Sequence, residues 1–158
     1  METAVDRLKK GLTAAFIDKG VYSGESYRPQ LVLNNHKLGQ KILTSLETEL
    51  NNCDEFFISV AFITMSGITP LLQTLQELEA DGVKGKIITT DYLSFSEPAA
   101  LEKLNSFRNI ELKFYCAGDR GFHTKGYIFR RGEEYRIIVG SANLTKCAAK
   151  PLPSGMGI

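Results

Sequence analysis

The sequence predicts an α/β fold, a mixed β-sheet flanked by helices on both faces, and three observations carry that reading. Residues 55–63 form a nearly continuous apolar run, the pattern of a strand buried on both faces. From there to residue 115, strand-like runs alternate with helix-like ones, as in layered α/β domains. Near the end, two strand-like segments flank Arg131-Gly132-Glu133-Glu134, which reads as a hairpin connection. With 158 residues and 43% hydrophobic content, the chain is one domain by length and can bury a core.

Residues 2–18 read as an amphipathic helix, with Val5, Leu8, Leu12, Ala15 and Phe16 near one face. Lys19-Gly20 and the Gly-, Ser- and Tyr-rich stretch to Pro29 break it. Leu31-Val32-Leu33 is short enough for a strand or an extended lead-in. Asn34 or Asn35 is placed to cap a helix over 37–50, where Leu38, Ile42, Leu46 and Leu50 recur at four-residue spacing. After strand 55–63 the order expected is helix 68–80 with Ser66 as its N-cap, strand 84–90, helix 98–106 and strand 109–115. A Gly-rich loop then leads to strands 123–130 and 135–140. The organisation expected is a single domain over 1–150, with 1–30 as a helix-and-loop extension. Residues 151–158 form a loop-like tail or a truncated end.

Composition excludes more than it names. Net charge is only +1, so no global basic field points to nucleic acid, but the distribution is uneven. From Lys113 onward, eight Lys and Arg stand against three Asp and Glu, a net +5, leaving −4 for the first 112 residues. That places the positive excess around the candidate site, as a phosphate-handling surface requires, although eight basic residues are also compatible with ordinary solvated surface. Cys53, Cys116 and Cys147 form no Cys-x-x-Cys pair and read as free thiols of a reducing cytosol. No apolar run is long enough to span a bilayer and no signal-peptide pattern is visible, so the location expected is cytoplasmic, with no membrane partner.

The chemistry concentrates in Gly121-Phe122-His123-Thr124-Lys125-Gly126-Tyr127-Ile128-Phe129, followed by Ile137-Ile138-Val139-Gly140-Ser141-Ala142-Asn143-Leu144-Thr145. Period-2 geometry puts His123 and Lys125 on the same face of a strand, and the next strand delivers a Gly-Ser-x-Asn turn, with Gly140 allowing a tight approach. A nucleophile or proton carrier beside a fixed cation, with small hydrogen-bonding side chains arriving alongside, suits a phosphate diester. Ser141 and Asn143 are also good N-cap residues and could simply cap a short final helix. Asp91, after Thr89-Thr90 at a strand end, is a candidate helper or a loop cap, and Phe62 and Thr64-Met65-Ser66-Gly67 border the same expected cleft. His36 sits at a helix start and reads as structural.

His-x-Lys followed by Gly-Ser-x-Asn resembles the core of the HKD motif of the phospholipase D superfamily, which includes lipases, nucleases, restriction enzymes and tyrosyl-DNA phosphodiesterases. The stretch from Phe56 through Thr145 looks most like the phospholipase D-like domain at the N-terminus of some bacterial helicases and in restriction-type nucleases. The resemblance implies a phospholipase D-like half-domain and a metal-independent mechanism without cofactor. In it His123 is the nucleophile or the acid, Lys125 and Asn143 clamp phosphate oxygens, and Ser141 supports the histidine or the phosphate.

The chain departs from that pattern in three places. Arg130 stands five positions after Lys125, where the family has an aspartate, and Glu133 or Glu134 could replace the acid. One motif is present where the mechanism uses two histidines, which implies a homodimer with a composite site at its interface. The text after Thr145 stops short of the family's further helix and sheet. Two functions stay open on this evidence: a nuclease acting on DNA, or a DNA-binding and dimerising module of a helicase or restriction system that has lost turnover.

Overall fold

The computed structural model of the protein describes residues 3, 29–34, 41–116, 118 and 121–145. The expected helix over 2–18, His36, Cys147 and the tail 151–158 lie outside the described residues. The chain divides into two compact units, residues 1–45 and 46–158. In the first, Leu31-Val32-Leu33 is exposed and forms no strand. Asn34 Oδ1 accepts from the Ile42 amide at 2.9 Å, at the first residue of helix α1 (Ile42–Leu50), so it satisfies an end amide from eight residues away and is not the flanking cap expected; residues 35–40 lie outside the described residues.

The second unit is a mixed five-stranded sheet with helices, as the sequence predicts. Its strands are β1 (Glu55–Val60), β2 (Lys84–Thr90), β3 (Ile110–Tyr115), β4 (Lys125–Arg131) and β5 (Glu134–Val139), in the order β3-β2-β1-β4-β5. The first three are mutually parallel, whereas β4 runs antiparallel to both β1 and β5. Strands β1 to β3 step outward in one direction, and the crossovers that join them carry helices. Those helices are α2 (Met65–Ile68), α3 (Leu72–Ala80) and α4 (Pro98–Asn105). They bury Ile68, Leu75, Leu78 and Leu104, and Phe56, Ile58, Val60, Ile87, Tyr127 and Phe129 are buried from the sheet.

Local departures from the expected elements have physical causes. The helix expected over 68–80 starts at Met65, because Thr64, not Ser66, is its N-cap: Thr64 Oγ1 accepts from Gly67 N at 3.2 Å. Pro70 then interrupts it, and Thr69–Leu71 tightens into a 3₁₀ turn before α3. Strand β1 stops at Val60 because its partner β4 begins at Lys125. Beyond that point the amides of Phe62, Ile63 and Thr64 bond to Asn143 Oδ1, Ser96 Oγ and the Leu144 carbonyl. The hairpin closes through Gly132-Glu133 with Gly132 at φ +57°, glycine at the first central position as a type II′ turn requires.

One glycine is dictated by packing. A Cβ at Gly85 would overlap the ring of Phe56, which is fully buried in the neighbouring strand. Gly85→Ala is therefore expected to destabilise the fold by about 1–3 kcal/mol, the usual cost of overpacking a core. Urea unfolding checks this, with the midpoint lowered and the slope unchanged.

Candidate functional site

Strand direction assembles the site. The C-terminal ends of parallel strands β1, β2 and β3 lie at one edge of the sheet, where antiparallel β4 begins and β5 ends. His123 and Lys125 enter there on the approach to β4, and Gly140 to Asn143 leave there from β5. His123 precedes the strand instead of lying within it, so the expected strand over 123–130 is shifted to Lys125–Arg131.

Lys125 is opposite Val60 on the buried face of the sheet and is 7% exposed. Its Nζ lies 2.8 Å from His123 Nδ1 and donates to the His123 carbonyl at 2.9 Å. Loss of solvent holds the ammonium pKa below the ordinary lysine value. A charged lysine only donates, so with Lys125 protonated Nδ1 accepts and the neutral imidazole carries its proton on Nε2. His123 itself is exposed, which leaves the ring in reach of a ligand while its orientation is held from below.

The other two expected residues arrive on the turn after β5. Gly140 N donates to the Lys125 carbonyl at 3.2 Å, which ties that turn to β4. Asn143 Oδ1 accepts from Phe62 N at 3.2 Å, so its carboxamide NH₂ is the end left to face a ligand. Ser141 is exposed on the same turn, between these two anchors. Neither Ser141 nor Asn143 caps a helix among the described residues, because Leu144 pairs with Ile63 in an isolated β-bridge instead. Thus His123 and Lys125 are in direct contact, and Asn143 joins them through Phe62, whose ring meets the His123 ring edge-to-face at 5.8 Å.

Two residues hold this arrangement in ways the sequence does not announce. Tyr127, two residues past Lys125 on the same face, donates its hydroxyl to the Ala142 carbonyl at 2.7 Å, and burial pushes its phenol pKa up. The glycine that the site requires is Gly67 and not Gly140. A Cβ at Gly67 would overlap the Leu144 carbonyl, whereas one at Gly140 meets nothing among the described residues. The sequence places Gly67 at the border of the expected cleft, within Thr64-Met65-Ser66-Gly67, without marking it as the point of close approach.

Other expectations move away from the site. Arg130 faces the opposite side of the sheet, roughly 17 Å along the strand from Lys125 at about 3.3 Å per residue. There its Nε bonds Glu55 Oε2 at 3.3 Å. Glu133 and Glu134 lie at the hairpin, at that same far end, and so cannot stand in for an acid beside His123. Of the basic residues of the C-terminal segment that are described, Arg131 bonds the Asn52 carbonyl and Lys113 pairs with Glu111; Arg120, Lys146 and Lys150 lie outside the described residues. Asp91 serves its loop, accepting from Thr90 Oγ1 and, through its carbonyl, from Ser94 N. Cys53 is buried with its thiol pushed up to about 11, and Cys116 is exposed; both are free. Among the described residues no group of three His, Cys, Asp or Glu side chains is placed to hold a metal ion, and no helix is long and apolar enough to cross a membrane.

Residues 46–151 match the family model described as cardiolipin synthase, PLD-like domain. No curated protein matches the chain.

The Tyr127 hydroxyl generates a test of how the turn is held. Tyr127→Phe is expected to cost about 1 kcal/mol in urea unfolding, the net value of one hydrogen bond. Amide hydrogen exchange is expected to quicken at residues 140–144 while β1 and β2 stay protected.

Proposed function

The chain belongs to the phospholipase D-like domain family, and on that premise we propose that it is a metal-independent phosphodiesterase, a nuclease acting on DNA, whose active site is completed by a second copy of the chain. Members of this superfamily are usually phosphodiesterases or hydrolases. The observation that carries the finer reading is the contact of Lys125 Nζ with His123 Nδ1 at the edge where the Gly140–Asn143 turn is anchored. In this reading His123, Lys125, Ser141 and Asn143 are the HKD-type residues.

The chemistry runs as follows. A phosphodiester draws the Lys125 ammonium from Nδ1 onto its anionic oxygens, and the Asn143 carboxamide and Ser141 hydroxyl donate to the same oxygens. Freed of its donor, Nδ1 takes the imidazole proton by exchange with solvent, and Nε2 presents a lone pair to phosphorus. The Nε2–P bond forms as the P–O bond to the leaving oxygen breaks. That oxygen takes the Nε2 proton of the partner copy's imidazole while the partner's Lys125 ammonium passes a proton to Nδ1, which keeps that ring neutral until the next step returns both protons. Water then attacks the phosphohistidine, giving up its proton to the same partner imidazole, which restores both rings. The Arg130 substitution does not speak for an inactive module, because Arg130 bridges Glu55 at the far end of the sheet.

Wild-type protein is expected to cleave DNA in excess EDTA, with His123→Ala removing cleavage by several orders of magnitude while retaining DNA affinity. Lys125→Ala is expected to lose both. DNA bound but never cleaved by wild type would instead mark a recognition domain. A composite site adds a second expectation, measured by mixing wild type with His123→Ala after exchange of subunits. Activity should fall as the square of the wild-type fraction, whereas sites complete within one chain would give a straight line.

A further inference from the structure

The edge of the sheet beside His123 carries aromatic side chains that phosphodiester chemistry does not use. Phe62 meets the His123 ring and, on another side, packs edge-to-face with Phe95 at 5.2 Å. Phe95, in the loop after β2, is 60% exposed. A second pair, Tyr115 and Phe122, stacks at 5.3 Å with the planes tilted by 33°, and Phe122 immediately precedes His123. The loop that delivers Phe95 is strained, because Leu93 at φ +57° and Ser94 at φ +51° are consecutive left-handed residues without glycine. Burial does not account for such a loop, since Leu93 is also exposed. Backbone strain spent on keeping a phenyl ring in water, one ring removed from His123 through Phe62, points to a ligand with a face of its own.

We infer that these rings form a base-stacking platform and that the substrate class is single-stranded nucleic acid. Unpaired bases lie on Phe95 and Tyr115 while the phosphodiester between them rests on His123 and Lys125. The inference rests on the phosphodiesterase reading above and narrows it. In a duplex each base face is covered by its neighbours, so a side chain stacks only on unpaired or extruded nucleotides. The two pairs meet the site through different neighbours of His123, Phe62 in space and Phe122 in sequence, as a strand with bases on both sides of each phosphate requires. Rings held against one another, edge-to-face in one pair and tilted in the other, offer flat, stiff surfaces, which suit planar bases better than acyl chains.

Binding of a short labelled single strand, the same strand with abasic sites, the matching duplex and phosphatidylglycerol vesicles tests this, read by anisotropy and vesicle sedimentation. Wild type should bind the single strand on the order of tenfold more tightly than the abasic strand or the duplex, given what one stacked base contributes. Phe95→Ala should erase that preference with an unchanged melting temperature, Phe95→Trp should keep it, and Phe95→Leu should not. Equal binding of single and abasic strands, or a preference untouched in Phe95→Ala, would overturn the platform. Vesicle binding retained by Phe95→Leu without strand preference would overturn it in favour of a lipid surface. Cleavage that needs His123 but ignores the bases would sink the platform alone. Base-selective binding without cleavage would uphold it while removing the catalytic reading.

Discussion

The register of β4 against β1 is the constraint on which the site depends. Val60 opposite Lys125 and Ser59 opposite Gly126 set where the antiparallel strand starts, and with it where His123 stands. A shift of one residue would turn Lys125, Tyr127 and Phe129 to the other face, and the lysine would lose its hold on the imidazole. The pairs Phe56–Phe129 and Ile58–Tyr127 oppose such a slip, because both lie on the buried face and each large side chain is worth about 1.5–3 kcal/mol buried. The hydrophobic core of the sheet therefore positions the polar site. Tyr127 does both, filling the core with its ring and fixing the Ala142 carbonyl with its hydroxyl.

A second consequence follows from ending β1 at Val60. The amides that no longer pair within the sheet are satisfied by groups from two later segments: Ser96 from one, Asn143 and Leu144 from the other. Glu97 adds to this junction by accepting from Met65 N at 2.7 Å while its own amide donates to the Ile63 carbonyl. Backbone hydrogen bonding thus gathers the loops after β1, β2 and β5 into one junction, and Gly67 is the residue small enough to let Leu144 in. The site is built at the place where the sheet's regular pairing runs out.

The sequence was legible where periodicity and composition act locally. Strand β2 was expected over 84–90 and spans Lys84–Thr90, and α4 begins at Pro98 as expected. His123 and Lys125 do share a side, although the histidine precedes the strand. What could not be read depends on pairing across long sequence separations. Thr64 displaces Ser66 as cap, Pro70 splits the helix expected over 68–80, and Gly67 takes the close approach assigned to Gly140. The net charge of a segment does not say where each charge stands. Arg130 and Arg131 are near Lys125 in the chain but lie at the opposite end of the strand, because a strand advances about 3.3 Å per residue.

The central claim is that His123 is the nucleophile, and trapping its covalent intermediate tests it most directly. Wild type and His123→Ala would be mixed with a 3′-labelled and a 5′-labelled strand, quenched in alkali to preserve any phosphoramidate, and digested for mass analysis. The account expects label on the wild type alone, carried by the peptide containing His123. Cleavage without a protein-bound label, or label persisting in His123→Ala, would contradict it.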